Sequence, residues 1–298
     1  RRRDFSINAM AINLNPNSFG NLLDLYGGRR DIEHGLIRIL YSMSFLDDPT
    51  RIFRAVRFAS RFQFDIEQRT LFQFNQALEG DPFEPVSGDR LREELDLIFE
   101  ENQPWSVVSS LFDRNVLSTL HEDFEQTESM EEWFSSARDV LAEFPSARSH
   151  PVYYGLLFHP IPEDTQMFLG RRLAFNRERM EVLRKNRAFS EIRDQLREAE
   201  EHSKIYQLLE DIGQREVLLI RMITEPVSIS RKIELYLDDL VKVEPIIDGK
   251  DLQEWGVEPG PYMGDVLDEL FYAQIDGTHT SREELKKYFE ENVSGNVE

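Results

Sequence analysis

The chain has 298 residues, no cysteine, and 35 Lys/Arg against 56 Asp/Glu, giving a formal net charge of -21. Without cysteine, disulfides and thiolate metal sites are excluded, which agrees with a reducing compartment. No apolar stretch is long enough to span a bilayer and no apolar run follows the N-terminal arginines, so a cytoplasmic location without a signal peptide is expected.

The opening residues, RRRDFSINAMAINLN, begin with arginines and Asp4 and then alternate. Phe5, Ile7, Ala9 and Ala11 share one side, and Ser6, Asn8 and Met10 the other. That alternation predicts a half-buried strand behind a basic cluster. Asn15, Pro16, Asn17 and Gly20 mark a turn. LLDLYGGRRDIEHGLIRIL, residues 22–40, predicts two short strands around a glycine turn, with Gly27 and Gly28 supplying φ values that other residues resist. The stretch matches neither GxGxxG nor GxxxxGK(S/T), which excludes a phosphate-cradling glycine loop.

Asp47, Asp48 and Pro49 predict a helix start, because the N–H that proline lacks would go unpaired in the first turn and its φ is already helical. Ile52, Phe53, Val56 and Ala59 then recur at helical spacing, with Arg51, Arg54, Arg57 and Arg61 on a neighbouring face. One reading is a capping Asp48 beside a solvated arginine face. The other starts from what an Asp and an Arg one helical turn apart can grip together. A carboxylate only accepts hydrogen bonds and a guanidinium only donates them. Cytosine and adenine each present an exocyclic amine beside an unprotonated ring nitrogen, which fits that pair, whereas guanine and uracil present carbonyl beside N–H. An Asp48/Arg51 pair would therefore admit C and A, with the other arginines left for phosphates.

Beyond Arg61 the pattern is helical almost throughout. Asp65 to Leu78 carries apolar Ile66, Leu71, Phe72 and Phe74 and ends at Gly80, Asp81 and Pro82. In VSGDRLREELDLIF, Ser87 or Asp89 can cap a helix on which Arg90 and Glu94 stand at ordinary ion-pair spacing. Residues 105–240 carry amphipathic patterns broken at Pro145, at His150 to Pro162 and near Pro226, with Trp105 and Trp133 read as core. RRLAFNRERMEVLRKNR, residues 171–187, holds seven Lys/Arg against two acids. It is either a solvated basic face or a phosphate-contacting surface built on Arg171, Arg172, Arg177, Arg179, Arg184 and Lys185. Gly260 and Pro261 precede a helix start, read as a plain connection in preference to a phosphate site. The histidines show no metal-binding spacing.

Charge is segregated along the chain. Residues 1–61 hold ten Lys/Arg and six Asp/Glu, a balance of +4, and the remainder hold 25 against 50. A basic N-terminal part on an acidic body suits a nucleotide site at one end.

DDPTRIFRAVRF resembles the (E/D)DxxR motif of the class II tRNA nucleotidyltransferases, which comprise the CCA-adding and A-adding enzymes and their bacterial poly(A) polymerase relatives. RRDFSINAMA resembles that family's RRDFTxNA motif, with Ser6 for Thr. Residues 24–38 resemble its D-x-x-x-G-x-x-D-I/L-x-x-G-x-I-R motif, and VSGDRLREELDLIF its last motif. The order follows the family's order, and IIDGKDLQEWGVEPGPYMGDVLDELFYAQIDG resembles the tail of bacterial members. The resemblance implies a mainly α, multi-lobed protein with a small remnant of the nucleotidyltransferase sheet at its N-terminus. It implies head residues 1–45, a neck at 46–105, an RNA-binding body at 106–240 and a tail at 241–298. Asp48 and Arg51 are then the base-reading pair, with Arg54 and Arg57 lining the nucleotide site. Arg3 and Asp4 hold sugar and triphosphate, Asn8 supports them, and Arg90 and Glu94 brace the neck. Asp47 stands where the family usually has Glu. The implied substrates are ATP and CTP, and the implied partner is a tRNA 3′ end.

In the family, phosphoryl transfer needs two carboxylates a residue apart that hold Mg²⁺, on a strand after a Gly-Ser or Gly-Gly turn, upstream of RRDFT. This sequence shows no such pair. The expectation is a C-terminal portion of a nucleotidyltransferase without the Mg²⁺ ligands, catalytically silent by itself. The alternatives are a noncatalytic RNA- or nucleotide-binding module and a portion of a poly(A) polymerase.

Overall fold

The computed structural model describes residues 3–144, 149–185, 188–223 and 227–293. The breaks read at Pro145 and Pro226, and the arginines at 1, 2 and 187, lie outside them. Two compact units divide the chain, Arg1–Asn186 and Arg187–Glu298. The described residues are mainly α-helical with two small sheets, as the motifs implied.

The first unit opens with a 3-10 turn at Ser6–Asn8, followed by β1 (Ala11–Ile12) and β2 (Leu22–Leu23), paired antiparallel. Helix α1 (Gly28–Glu33) leads to β3 (Leu36–Ile37), and a short α2 (Ser44–Asp47) precedes α3 (Thr50–Phe62). Strand β4 (Asp65–Ile66) lies parallel to β3. Helices α4 (Gln68–Leu78), α5 (Gly88–Phe99), α6 (Pro104–Asp113), α7 (Val116–Leu120), α8 (Met130–Glu143), α9 (Ser149–Phe158), α10 (Glu163–Arg172) and α11 (Arg177–Lys185) complete it.

The alternation of the opening residues does not make a long strand. The Ser6 N–H donates to the Arg38 carbonyl (2.9 Å), the Ser6 hydroxyl to Asp31 Oδ2 (2.5 Å), and the Phe5 N–H to Asn8 Oδ1 (3.1 Å). The two bonds made by the Ser6 and Asn8 side chains close a turn in competition with a ladder, and Phe5 is driven fully into the core. The glycine stretch also differs from expectation, because a helix separates its two strands. Asp24 accepts from the N–H groups of Gly28 (2.8 Å) and Arg29 (2.9 Å), anchoring the start of α1. Gly27 has φ +74°, whereas Gly28 is needed for closeness: a Cβ there would collide with the Ser6 carbonyl.

Helix α3 starts at Thr50, with Pro49 at the N-cap, and ends at Gln63 in the left-handed region, φ 55°. Its buried face holds Ile52, Phe53, Ala55 and Val56 and packs against α5 and α6. The Phe53 ring lies 5.1 Å from that of Phe83. The stretch from Asp65 begins with β4, and Glu67 then caps α4 by accepting from the Thr70 N–H (2.9 Å). Further on, Phe99 meets Tyr153 (5.3 Å) and Tyr154 (4.9 Å), and Trp105 meets Phe134 (5.6 Å), in an aromatic core.

The second unit holds α12 (Ala188–Glu198), α13 (His202–Leu209), α14 (Gln214–Ile223), α15 (Val227–Asp238), α16 (Gly249–Glu254), α17 (Met263–Ile275) and α18 (Arg282–Tyr288). Leu252, Leu270, Leu285 and Val293 form part of a continuous apolar core across α16 to the segment after α18. Among the described residues no helix is long and apolar enough to cross a membrane.

Candidate nucleotide site

The arginines of α3 meet a file of acids from elsewhere in the first unit. Arg51 is 7% exposed. Its Nε donates to Asp4 Oδ1 (3.1 Å), and its Nη1 to the Tyr41 hydroxyl (3.1 Å), the Ser44 carbonyl (3.1 Å) and Ser44 Oγ (2.9 Å). Arg54 grips Asp4 Oδ2 through Nε (2.9 Å) and Nη2 (2.6 Å) and reaches Glu94 Oε1 through Nη1 (3.3 Å). Arg57 Nη1 donates to Glu101 Oε1 (3.2 Å), which Arg61 also approaches at 3.6 Å. Phe58 underlies both middle arginines, its ring centre 5.6 Å from the Arg54 guanidinium and 5.0 Å from that of Arg57.

Asp48 sits between α2 and α3. Its Oδ1 accepts from the Thr50 hydroxyl (2.7 Å), the Thr50 N–H (3.3 Å) and Arg90 Nη2 (2.8 Å). Arg90 and Glu94 thus do not make the helix pair their spacing suggests. Helix α5 offers Arg90 to the beginning of α3 and Glu94 to its middle, so two opposite charges bind the helices together. Asp48 and Arg51 form no ion pair with each other. Among the described residues, no hydrogen bond uses Asp48 Oδ2 or Arg51 Nη2.

Burial pushes the Asp48 carboxyl up, but the Thr50 hydroxyl and the Arg90 charge outweigh it and hold it below the usual carboxylate value. Glu94 goes the other way, because burial outweighs Arg54 and Arg57 and raises it. Burial opposes the charge on Arg51, yet the Tyr41 hydrogen bond and the charges of Asp4 and Asp48 prevail and raise it.

The structure therefore brings Asp4, Asp48, Arg51 and Arg54 together, with Arg90 and Glu94 behind them. Asn8 folds back onto the Phe5 N–H, shaping the turn after Asp4. Arg3 is exposed and makes no ion pair among the described residues. Arg57 and Arg61 line a cleft of about 560 Å³ with Ser60, Gln63, Asn102 and Ser106. Tyr41, Ser44 and Glu101 were not singled out by sequence reasoning; no short-range spacing marks them.

The basic stretch divides in two. Arg172 Nη2 donates to the carbonyls of Phe83 (2.6 Å) and Val86 (2.9 Å), and Arg179 Nη2 to Asp96 Oδ2 (2.9 Å), so both hold the unit together. Lys185 stands 3.7 Å from Glu181. Arg171, Arg177 and Arg184 are exposed and make no ion pair among the described residues.

Among the described residues no three His, Cys, Asp or Glu side chains converge on a metal position. Asp4 has both oxygens engaged by arginines. The described residues do not fit a resident Mg²⁺.

Residues 1–38 match the family model described as the poly A polymerase head domain. Over 316 aligned positions the chain is 31% identical to the A-adding tRNA nucleotidyltransferase of Halalkalibacterium halodurans, covering 97% of this chain and 67% of that protein. The chain belongs to the tRNA nucleotidyltransferase family. A second family member, the A-adding enzyme of Geobacter sulfurreducens, is 29% identical over 95% of this chain, which spans only 34% of that protein. The solved Thermotoga maritima CCA-adding enzyme complexed with tRNA superposes with a TM-score of 0.84 at 30% identity, covering 100% of this chain and 73% of that one. CCA-adding enzymes solved with ATP and with CTP each give a TM-score of 0.83 at 29% identity, the chain covering 71% and 70% of them.

Proposed function

We propose that the protein takes part in adding CCA, or its terminal A, to tRNA 3′ ends, and that this region selects the base of incoming ATP or CTP and holds the RNA. The observation that carries the reading is the pair of unused atoms, Asp48 Oδ2 and Arg51 Nη2, on groups whose other hydrogen-bonding atoms are tied down. An exocyclic amine donating to Asp48 and a ring nitrogen accepting from Arg51 satisfy both. A guanine or uracil edge would set its carbonyl against the carboxylate.

The neighbouring groups support the same assignment. Asp4 accepts three hydrogen bonds from arginines, and a carboxylate offers about four lone-pair sites, so one remains for a sugar hydroxyl. Arg3, Arg54 and Arg57 supply positive charge for the phosphates, and Asn8 fixes the turn that carries Asp4. Arg90 and Glu94 act as braces. Exposed Arg171, Arg177 and Arg184 offer charge to RNA phosphates. In this division of labour residues 1–45 contribute to the head, 46–105 form the neck, and 106–240 with 241–298 form body and tail.

The test is nucleotide choice in the complete gene product. With Asp48→Ala or Arg51→Ala, tRNA extension should lose roughly 10- to 100-fold of its preference for ATP and CTP over GTP and UTP, the worth of one two-point base contact. Unchanged discrimination would leave Asp48 as a helix cap.

A further inference from the structure

Arg51 can present Nη2 to a base only if its guanidinium is held in one orientation, and the holding forces come from two sides. On the Nε side stands Asp4, an anion in direct contact at 3.1 Å. On the Nη1 side the contacts are neutral: the Tyr41 hydroxyl, the Ser44 carbonyl and Ser44 Oγ. Every bond from the guanidinium has an ionised donor, but only the Asp4 bond also has an ionised acceptor, so the Asp4 side pulls harder than the neutral Nη1 partners by themselves.

Tyr41 supplies the opposition. Its hydroxyl accepts from Arg51 Nη1 and donates to Asp47 Oδ2 at 2.8 Å, using its single proton on the acid. Asp47 itself makes no hydrogen bond or ion pair with Arg51, so its negative charge is relayed to the guanidinium through the phenol oxygen. The Tyr41 ring also lies 6.0 Å from the guanidinium carbon.

We propose that Tyr41 is a positioning residue for base choice, coupling Asp47 to Arg51 Nη1 and keeping Nη2 turned toward the incoming nucleotide. The proposal rests on the reading of Asp48 and Arg51 given above. Without the hydroxyl, the guanidinium swings toward Asp4 and Nη2 leaves the base edge.

Tyr41→Phe in the complete gene product keeps the ring and removes only the relay. Measure kcat/KM for ATP, CTP, GTP and UTP on one tRNA, together with the thermal midpoint. Selectivity for ATP over GTP and for CTP over UTP should fall about five- to tenfold, with Tm changed by no more than about 2 °C. Asp47→Asn, which keeps the size of the anchor and removes its charge, should shift selectivity the same way by less. A uniform fall for all four nucleotides, or a lower Tm with selectivity intact, would reduce Tyr41 to a packing residue and overturn the proposal. Arg51→Lys in the same assay separates the two layers. If Arg51→Lys relaxes selectivity and Tyr41→Phe does not, the relay alone is wrong. If neither does, base reading by this pair falls with it.

Discussion

Glu94 and Asp48 are held by arginines yet shifted in opposite directions, and the difference lies in how much hydrogen bonding accompanies burial. Asp48 has the Thr50 hydroxyl and Arg90 on one oxygen, whereas Glu94 Oε2 is buried without a hydrogen bond, 3.9 Å from Arg57 Nη2. Native Glu94 therefore holds its proton more readily than in the unfolded chain. Its contribution to stability is greatest below its ordinary value of 4.5 and declines as pH rises through the raised one. Asp48 contributes above its ordinary value of 3.8, and that contribution is lost as pH falls through the lowered one. Denaturant titrations across this range should show wild type losing stability relative to Glu94→Gln as pH rises. The difference between wild type and Asp48→Asn should grow as pH rises. A pH-independent Glu94→Gln difference would mean that Arg54 and Arg57 fully compensate burial. The arginine file was legible in the sequence because a helix writes its faces at fixed spacing, and Asp48 because it stands just before the helix start that Pro49 marks. Their partners were not: Asp4 and Glu94 lie 40 or more residues from the arginines they bind, and Glu94 read locally as a partner for Arg90.

At the scale of elements, the placing of Asp4 depends on how closely α1 approaches the Ser6–Asn8 turn. A methyl on Gly28 would meet the Ser6 carbonyl and lie 3.1 Å from Met10 Cγ, and Ser6 is itself pinned to Asp31 and Arg38. Gly28→Ala should cost about 1–3 kcal/mol as an overpacking change. Because Ser6 cannot move without dragging Asp4, ATP affinity should fall as well. Gly27 has open space around its Cβ position and only its φ of +74° to defend, so Gly27→Ala should cost about 1–2 kcal/mol and leave ATP binding intact. Denaturation and nucleotide titration of both variants decide it, and a normal ATP affinity in Gly28→Ala would detach the turn from the site. In sequence both glycines look the same, since φ and closeness leave the same letter. Helix α3 was readable from its start signal and period, but the opening alternation was not one long strand because Ser6 and Asn8 spend their polar groups on the turn. Period-2 patterning records which side chains could be buried, without recording whether a neighbouring strand exists to pair with.

For the whole molecule, a net charge of -21 requires that any grip on RNA be local. The stretch 171–187 looked uniformly basic in sequence, and its division into inward and outward arginines depends on tertiary partners. Arg172 and Arg179 are committed to Phe83, Val86 and Asp96, whereas Arg171, Arg177 and Arg184 face solvent. The two groups should separate in a salt titration. Removing one cation from an RNA phosphate lowers the slope of log K against log salt concentration by a little under one. Replacing the three exposed arginines by alanine in the complete gene product should thus flatten the slope for tRNA binding by about 2, with the thermal midpoint unchanged. Arg172→Ala should lower the midpoint by several degrees, since it strands two buried carbonyls, and alter the slope little. A slope that survives the triple replacement would show that RNA is held elsewhere and that these arginines only solvate the helix. A slope that falls with Arg172→Ala as much as with the triple variant would show instead that folding of the first unit, and not the touch of particular side chains, sets the affinity.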